Sequence, residues 1–263
     1  MTTAELPGID VRRADERFTT RIDWLDSKHS FSFADHYDPG NTHHGLLLVN
    51  NDDVVTPGAG FDTHPHRDSE IITWVLQGAL VHQDSMGHSG VIYPGLAQRM
   101  SAGTGILHSE RNDSWRVREP AGATRDLPVE PVRFIQMWLV PDESGIAPSY
   151  EQLEVHDELD GGGLVTIASG MPTHADHSAI RIANRHAAMH VARMRAGQAP
   201  IILPDSPFAH LFVADGEVDM EGVGRLHTGD AVRLTDVGGP RLSTDVGAEV
   251  IVWEMHAGLG PPR

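Results

Sequence analysis

Cysteine is absent from the 263 residues of the sequence, so disulfides, thiolate metal sites and a cysteine nucleophile are all excluded. Long apolar runs are missing as well, since stretches such as residues 45–49 fall far short of the roughly 18 residues that a membrane-spanning helix needs. Basic residues are scarce, with 20 against 37 acidic ones, and the net charge of −17 repels a nucleic-acid backbone. The first 17 residues lack the apolar stretch of a signal peptide, so we expect a cytoplasmic protein. The 17 histidines remain as the main nitrogen ligands.

Short apolar segments alternate with turn residues along the whole chain. Gly and Pro number 27 and 17, and they are spread along the sequence instead of gathered in one tract. Segments rich in Val, Ile, Leu and Trp predict strands, and they include residues 46–49, 71–76, 134–140, 165–168, 211–214 and 250–253. Helical periodicity is confined to a turn or two near residues 148–153 and 171–178. The sequence therefore predicts an all-β protein.

A weak internal repeat relates the two halves of the chain. Around each of Gly78 and Gly216 the pattern is a strand, a glycine turn, a strand, a turn that ends in glycine, and another strand. Two copies of one small antiparallel barrel fit 263 residues. We therefore predict two antiparallel β-barrels packed together, one over residues 1–140 and the other over residues 141–263.

Two pairs of potential metal ligands occupy alternate positions in the N-terminal half: His64 with His66, and His108 with Glu110. Alternate residues of a strand point to the same face, so the four side chains converge if the two strands are neighbours. Three imidazoles and one carboxylate suit Fe, Mn, Co, Ni, Cu or Zn, and they leave up to two positions of an octahedral ion open. With 17 histidines, a pair at this spacing also arises by chance, so either pair alone is weak support.

The surroundings of these pairs are similar to the two signature motifs of the cupin superfamily. Gly58 precedes the first pair by six residues and Gly105 precedes the second by three, although Gly78 stands one position late and Gly103 replaces the usual proline. The resemblance is closer to the pirin family, and within it to the bacterial quercetinase-type branch. It covers roughly the first 150 residues and is carried by residues 31–39, 60–70, 82–85, 100–110, 136–138 and 150–152.

The resemblance implies a bicupin, built from two jelly-roll barrels, whose N-terminal barrel holds one divalent ion and whose C-terminal barrel holds none. The leading candidate for the ion is Fe(II), and its ligands would be His64, His66, His108 and Glu110. Glu70 competes with Glu110 for the carboxylate role, because many other cupins keep their acidic ligand at the position of Glu70. We follow the pirin pattern and assign Glu110. His82 and His88 are expected at the surface or in support of the ligands.

The same resemblance implies an oxygenase of the quercetin 2,3-dioxygenase type, which cleaves a flavonol or a similar planar aromatic substrate with O2. Glu110 would take the proton of the coordinated hydroxyl. The expected substrate contacts are Phe33, Met100, Ile106 and Trp138. The alternative is a non-enzymatic regulatory pirin that binds a protein partner in response to the oxidation state of its metal. A cavity able to hold a three-ring ligand beside the metal would favour the enzyme. We expect a monomer or weak homo-oligomer with no nucleic-acid or membrane partner.

Overall fold

The computed structural model describes residues 7–113, 129–177 and 179–259. Within these ranges the chain forms 21 strands and one four-residue α-helix, α1 (His156–Leu159), which confirms the all-β prediction. No helix in the same ranges is long and apolar enough to cross a membrane. In chain order the strands are β1 (Ile9–Arg12), β2 (Phe18–Arg21), β3 (Leu25–His29), β4 (Leu47–Val55), β5 (Gly60–His66), β6 (Glu70–Gln77), β7 (Leu80–Asp84), β8 (Ser89–Ile92), β9 (Leu96–Ser101), β10 (Ile106–Arg111), β11 (Val132–Leu139), β12 (Ser149–Glu154), β13 (Val165–Ser169), β14 (Ile180–Arg181), β15 (Ala187–Met194), β16 (Ile201–Ile202), β17 (Phe208–Met220), β18 (Gly224–His227), β19 (Ala231–Thr235), β20 (Arg241–Ser243) and β21 (Ala248–Met255).

Two antiparallel sheets form the N-terminal half. The larger sheet has seven strands in the order β12, β9, β6, β11, β4, β3 and β2, and the smaller one has four in the order β5, β10, β7 and β8. Over the residues that the structure describes, neither sheet closes on itself, so the expected closed barrel is instead an open β-sandwich of the cupin type. The bicupin fold is thus confirmed with this correction.

The C-terminal half is built on a ten-stranded sheet. Its main path runs β1, β19, β17, β21, β15, β13 and β14, and β16, β18 and β20 attach beside it. This sheet is also open. Two strands cross between the halves: β1 pairs with β19, and β12 pairs with β9. The proposed division after residue 140 therefore leaves one strand of each half in the sheet of the other.

An apolar core joins the seven-stranded sheet to the ten-stranded one. Its large buried side chains include Ile72, Trp74, Met137, Phe212 and Trp253. The indole nitrogen of Trp74 donates to Glu249 at 2.7 Å, and that of Trp253 donates to the sulfur of Met137 at 3.3 Å. Burying side chains of this size contributes about 1.5–3 kcal/mol each. Because successive side chains of a strand alternate in direction, the opposite face of the seven-stranded sheet is left to enclose the N-terminal interior.

Each predicted strand segment falls on an observed strand and extends beyond it by at most one residue, although several observed strands are longer than predicted. The helical prediction for residues 148–153 is wrong, because Ser149–Glu154 forms β12 and takes its backbone hydrogen bonds from β9. Near residues 171–178 only a short 3₁₀ turn, Pro172–His174, is present, and residue 178 lies outside the described residues. The helix α1 has no counterpart in the sequence prediction.

The internal repeat is visible in the backbone of its glycines. Gly78 and Gly216 both adopt positive φ, at 74° and 79°. A Cβ atom at Gly78 would lie 2.9 Å from the carbonyl oxygen of Pro131, and one at Gly216 would lie 2.2 Å from that of Gly247. Both positions therefore require glycine. The halves differ in one respect, since β7 begins after Gly78 whereas β17 continues through Gly216.

Candidate metal centre

Neighbouring antiparallel strands bring the predicted histidines together. His64 and His66 lie on β5, and His108 lies directly opposite His64 on β10. The potential ligand atoms of these three rings all lie within 4.8 Å of one another. The pairing register shifts between His108 and Glu110, so Glu110 lies opposite Phe61 and groups instead with His82 and His108, again within 4.8 Å. His108 is thus shared by two groups of potential ligands.

The ring nitrogens of the first group fit a metal ion. His64 bonds through Nδ1 to the backbone oxygen of Asp62 at 2.7 Å, an arrangement that leaves Nε2 as the coordinating atom. Nε2 of His66 and both ring nitrogens of His108 are buried without a hydrogen-bond partner in the described structure. Buried polar atoms of this kind are costly unless something satisfies them, and a cation at the centre of the three rings would do so.

Burial also keeps two of these imidazoles neutral. Burial, with a smaller contribution from neighbouring His108 and His64, lowers the pKa of His66 to about 4. Burial, followed by the charges of His64 and His82, lowers the pKa of His108 to about 3. The neutral ring is the form that binds a metal, so neither residue has to lose a proton at neutral pH.

Glu110 is held by two side chains from the opposite sheet. The hydroxyl of Thr73 donates to Oε1 at 3.1 Å, and the amide of Gln136 donates to Oε2 at 2.5 Å. Gln136 is itself oriented, because its Oε1 accepts a hydrogen bond from the indole nitrogen of Trp138 at 3.1 Å. The carboxylate is therefore buried and fixed in orientation.

His82 is a further potential ligand that the sequence did not single out. Its side chain is fully buried, which makes the surface alternative for this residue wrong. Nδ1 has no partner in the described structure, and Nε2 pairs with Asp84 at 3.3 Å. Asp84 also binds the ring of His88 at 2.9 Å, and the rings of both histidines stack on Tyr150. The spacing of His82 and Asp84, two residues apart on a strand, is the signal that could have indicated them.

The competing carboxylate, Glu70, lies elsewhere. It belongs to β6 like Thr73, but it is an odd number of residues away and so points to the opposite face. One of its oxygens accepts hydrogen bonds from Ser101 at 2.8 Å and from the backbone nitrogen of Ala183 at 3.0 Å. Burial raises the pKa of Glu70. Glu70 is absent from both groups of potential ligands in the described residues.

The four expected substrate contacts differ in how close they lie to the histidines. Trp138 packs edge-on against His66, with ring centroids 4.8 Å apart, and Phe33 packs against Trp138 at 5.5 Å. Ile106 lines an open cavity of about 460 Å³ beside His66. Met100 is fully buried in the apolar cluster behind Ile106. The cavity is lined by Pro65, His66, Arg67, Ser85, Gly105, Ile106 and Leu107.

Fold and site together define a cupin-type protein with a candidate centre of imidazole and carboxylate donors in its N-terminal half. The family model described as Pirin matches residues 11–139. A Mycobacterium tuberculosis protein with the provisional name quercetin 2,3-dioxygenase is 59% identical over 252 residues, which are 96% of this chain and 97% of that protein. The quercetin 2,3-dioxygenase of Escherichia coli is 35% identical over 256 residues, 94% of this chain and 98% of that one. The chain belongs to the pirin family.

Solved structures agree with this assignment. The crystal structure of YhhW from Escherichia coli matches with a TM-score of 0.80 and 33% identity, over 97% of this chain and 99% of that one. A second structure of the bacterial pirin YhhW, in complex with nickel(II), matches with a TM-score of 0.80 and 32% identity, over 95% and 99% of the two chains.

Proposed function

We propose that this protein is a metal-dependent dioxygenase that cleaves a flavonol such as quercetin at the 2,3 bond with O2. The observation that carries the proposal is the convergence of His64, His66 and His108 near the carboxylate of Glu110. His66 and His108 have buried ring nitrogens without a hydrogen-bond partner in the described residues. Such a mixed nitrogen and oxygen donor set suits a transition-metal ion. Relatives named quercetin 2,3-dioxygenase support the substrate class, and the nickel(II) complex of YhhW supports a divalent ion.

We assign His64, His66, His108 and Glu110 as the ligands and Fe(II) as the first candidate metal, with Mn, Co, Ni, Cu and Zn as alternatives. When bound, the ion supplies a positive charge that lowers the pKa of a hydroxyl brought to it. Glu110 would accept the proton of a hydroxyl brought to this site. A carboxylate has two lone pairs on each oxygen, and Thr73 and Gln136 each occupy one of them, so the group remains free to bind and to accept a proton.

The overall reaction converts the deprotonated flavonol and O2 into a ring-opened ester and carbon monoxide. Both atoms of O2 enter the organic product. The ring carbon that carries the deprotonated hydroxyl leaves as CO, because its bonds to both neighbouring ring carbons are cleaved. The protein contributes the orientation of the planar substrate against apolar groups, for which Ile106 and Trp138 are placed beside His66. Phe33 supports Trp138 from behind, and Met100 supports Ile106.

The cavity beside His66 favours an enzyme over the purely regulatory alternative. Its volume of about 460 Å³ falls in the range of roughly 300–1,000 Å³ that is typical of small-molecule sites. Its lining is mainly apolar around Ile106 and Leu107, as a planar aromatic ligand requires. We further propose that the protein acts in the cytoplasm as a monomer or weak homo-oligomer. The net charge of −17 argues against a nucleic-acid partner.

The test is oxygen consumption on quercetin by the full chain loaded with Fe(II), with carbon monoxide measured in parallel. We expect one CO for each O2 consumed. The matched control is His108→Ala, which removes the residue shared by both ligand groups and should show neither product. A metal-loaded wild-type protein that consumes no O2 on quercetin would remove the proposed substrate class.

A further inference from the structure

A second cavity, of about 280 Å³, lies at the seam between the two halves and apart from the metal centre. One wall follows β1, which belongs to the ten-stranded sheet, and the other is formed by β2 and β3 of the seven-stranded sheet. Its lining includes three arginines, Arg12, Arg13 and Arg17, two acidic residues, Glu16 and Asp38, and the ring of Phe18.

Arg17 is the innermost of these groups, and its charge is incompletely balanced. Its side chain is only 3% exposed, and it packs over the ring of Phe212. Among the described residues, its one ion-pair contact is Nη2 to Asp52 at 3.4 Å. Nε and Nη1 are buried and have no hydrogen-bond partner in the described structure. A buried guanidinium in this state is costly unless an acceptor reaches it.

Asp52 cannot neutralise Arg17 alone, because another arginine already holds it. Arg133 binds both oxygens of Asp52, through Nε at 2.9 Å and Nη2 at 3.0 Å. Two guanidinium groups thus share one carboxylate, and the longer contact is that of Arg17. Arg17 itself lines the cavity.

Two further arginines lie at the more exposed end of the cavity, its mouth. Arg12 and Arg13 are 43% and 41% exposed, and each is paired with one carboxylate, Asp10 and Asp230 respectively. Both residues line the cavity together with Arg17. The aromatic wall opposite is a stacked pair, Phe18 and His36, with ring centroids 4.2 Å apart.

We propose that this cavity is a binding site for a small oxyanion, a carboxylate or a phosphate, which hydrogen-bonds the free nitrogens of Arg17. Guanidinium groups match both kinds of oxyanion, so the chemistry of the site is shared between them. The site is independent of the proposed dioxygenase activity, since none of its lining residues is a candidate metal ligand.

The experiment titrates the full chain, without added metal, with sodium phosphate and separately with sodium acetate, at constant ionic strength maintained with chloride. Calorimetry gives the stoichiometry, and thermal unfolding gives the stabilisation that a ligand of the folded state must produce. We expect saturable binding of one oxyanion per chain. The stronger of the two titrations identifies whether phosphate or carboxylate is preferred.

Two variants test the role of the arginines. Arg17→Met keeps the packing on Phe212 but removes the charge, and we expect at least a 10-fold loss of affinity. Arg12→Gln changes only the exposed mouth, and we expect it to lower the affinity for the oxyanion a few-fold. This variant tests the proposal if Arg17→Met does not fold. The control Arg21→Gln alters an exposed arginine that is paired with Asp26 outside the cavity, and it should bind like wild type.

A further control separates this site from the metal centre. His108→Ala should bind the oxyanions with wild-type affinity. Stabilisation by chloride equal to that by phosphate and acetate, or wild-type affinity in both Arg12→Gln and Arg17→Met, would overturn the proposal. Loss of oxyanion binding in His108→Ala would do the same, because it would assign the binding to the metal centre.

Discussion

Glu110→Gln is the substitution that separates ligand and base roles most sharply. The glutamine keeps the shape of the side chain, and its carbonyl oxygen can still accept from Gln136. Its amide then faces Thr73, whose hydroxyl can accept instead of donate. Both contacts survive as neutral hydrogen bonds in place of charge-assisted ones, so we expect a stability cost of about 1–2 kcal/mol. The fold should persist.

The effect on turnover should be much larger. Removal of a general base typically costs about 10² or more in rate, which corresponds to roughly 2.7 kcal/mol or more of transition-state stabilisation. The metal should remain at reduced affinity, because the three imidazoles of His64, His66 and His108 are untouched. The assay is the rate of oxygen uptake on quercetin, normalised to metal content measured by mass spectrometry.

The matched control is Glu70→Gln. Glu70 is also buried and also accepts two hydrogen bonds, from Ser101 and Ala183, but it lies on the other face of β6. We expect metal content and turnover close to wild type. If the Glu70 variant loses metal while the Glu110 variant retains it with full activity, the reasoning is refuted and both roles move to Glu70.

Three further predictions concern metal retention, pH and the backbone. His108→Ala should lose metal and activity while the far-ultraviolet circular dichroism is retained, since no hydrogen bond of the described structure depends on its ring; global unfolding at neutral pH would make His108 a core residue instead. Burial raises the pKa of Asp53 from 3.8 to about 7. Ionisation of this residue therefore does not destabilise the folded protein below about pH 4, destabilises it increasingly as the pH rises, and has its full effect above about pH 7. Stability should therefore fall by up to about 4 kcal/mol across that window, and Asp53→Asn should remove most of the fall in urea unfolding at pH 4 to 8; equal slopes in both proteins would contradict this. Gly216→Ala should destabilise by at least about 2 kcal/mol more than Gly222→Ala, because both residues have φ of 79° but only the first meets a carbonyl oxygen at 2.2 Å; similar unfolding midpoints would count against it.

Much of the fold can be predicted from local sequence patterns, because these patterns indicate which residues are buried. Segments such as Ile71 to Leu76 are apolar and β-branched, and they form central strands buried on both faces. The strand β12 escaped this reasoning, since Ser149–Glu154 is half exposed and has no clear alternation. Its conformation is set by hydrogen bonds to β9, about fifty residues earlier, which no local pattern reveals.

The candidate metal centre could likewise be predicted only in part from the sequence. The spacing of His64 with His66 and of His108 with Glu110 predicts same-strand pairs, and the structure places those strands side by side. Glu110 groups with His82 because the two residues lie directly opposite each other in the pairing of β10 with β7, which no local pattern reveals. The spacing of His82 and Asp84 marks these two residues as a possible pair, but the pairing of β7 with β10 is needed to place His82 beside His108 and Glu110.

The most direct test of the central claim is anomalous diffraction from crystals of the protein loaded with Ni(II), measured on both sides of the nickel absorption edge. We predict one anomalous peak per chain, within coordination distance of imidazole nitrogens of His64, His66 and His108 and of a carboxylate oxygen of Glu110. A peak bound by His82 without His64 and His66, a peak at Glu70, or the absence of any peak in this half of the chain would contradict the account.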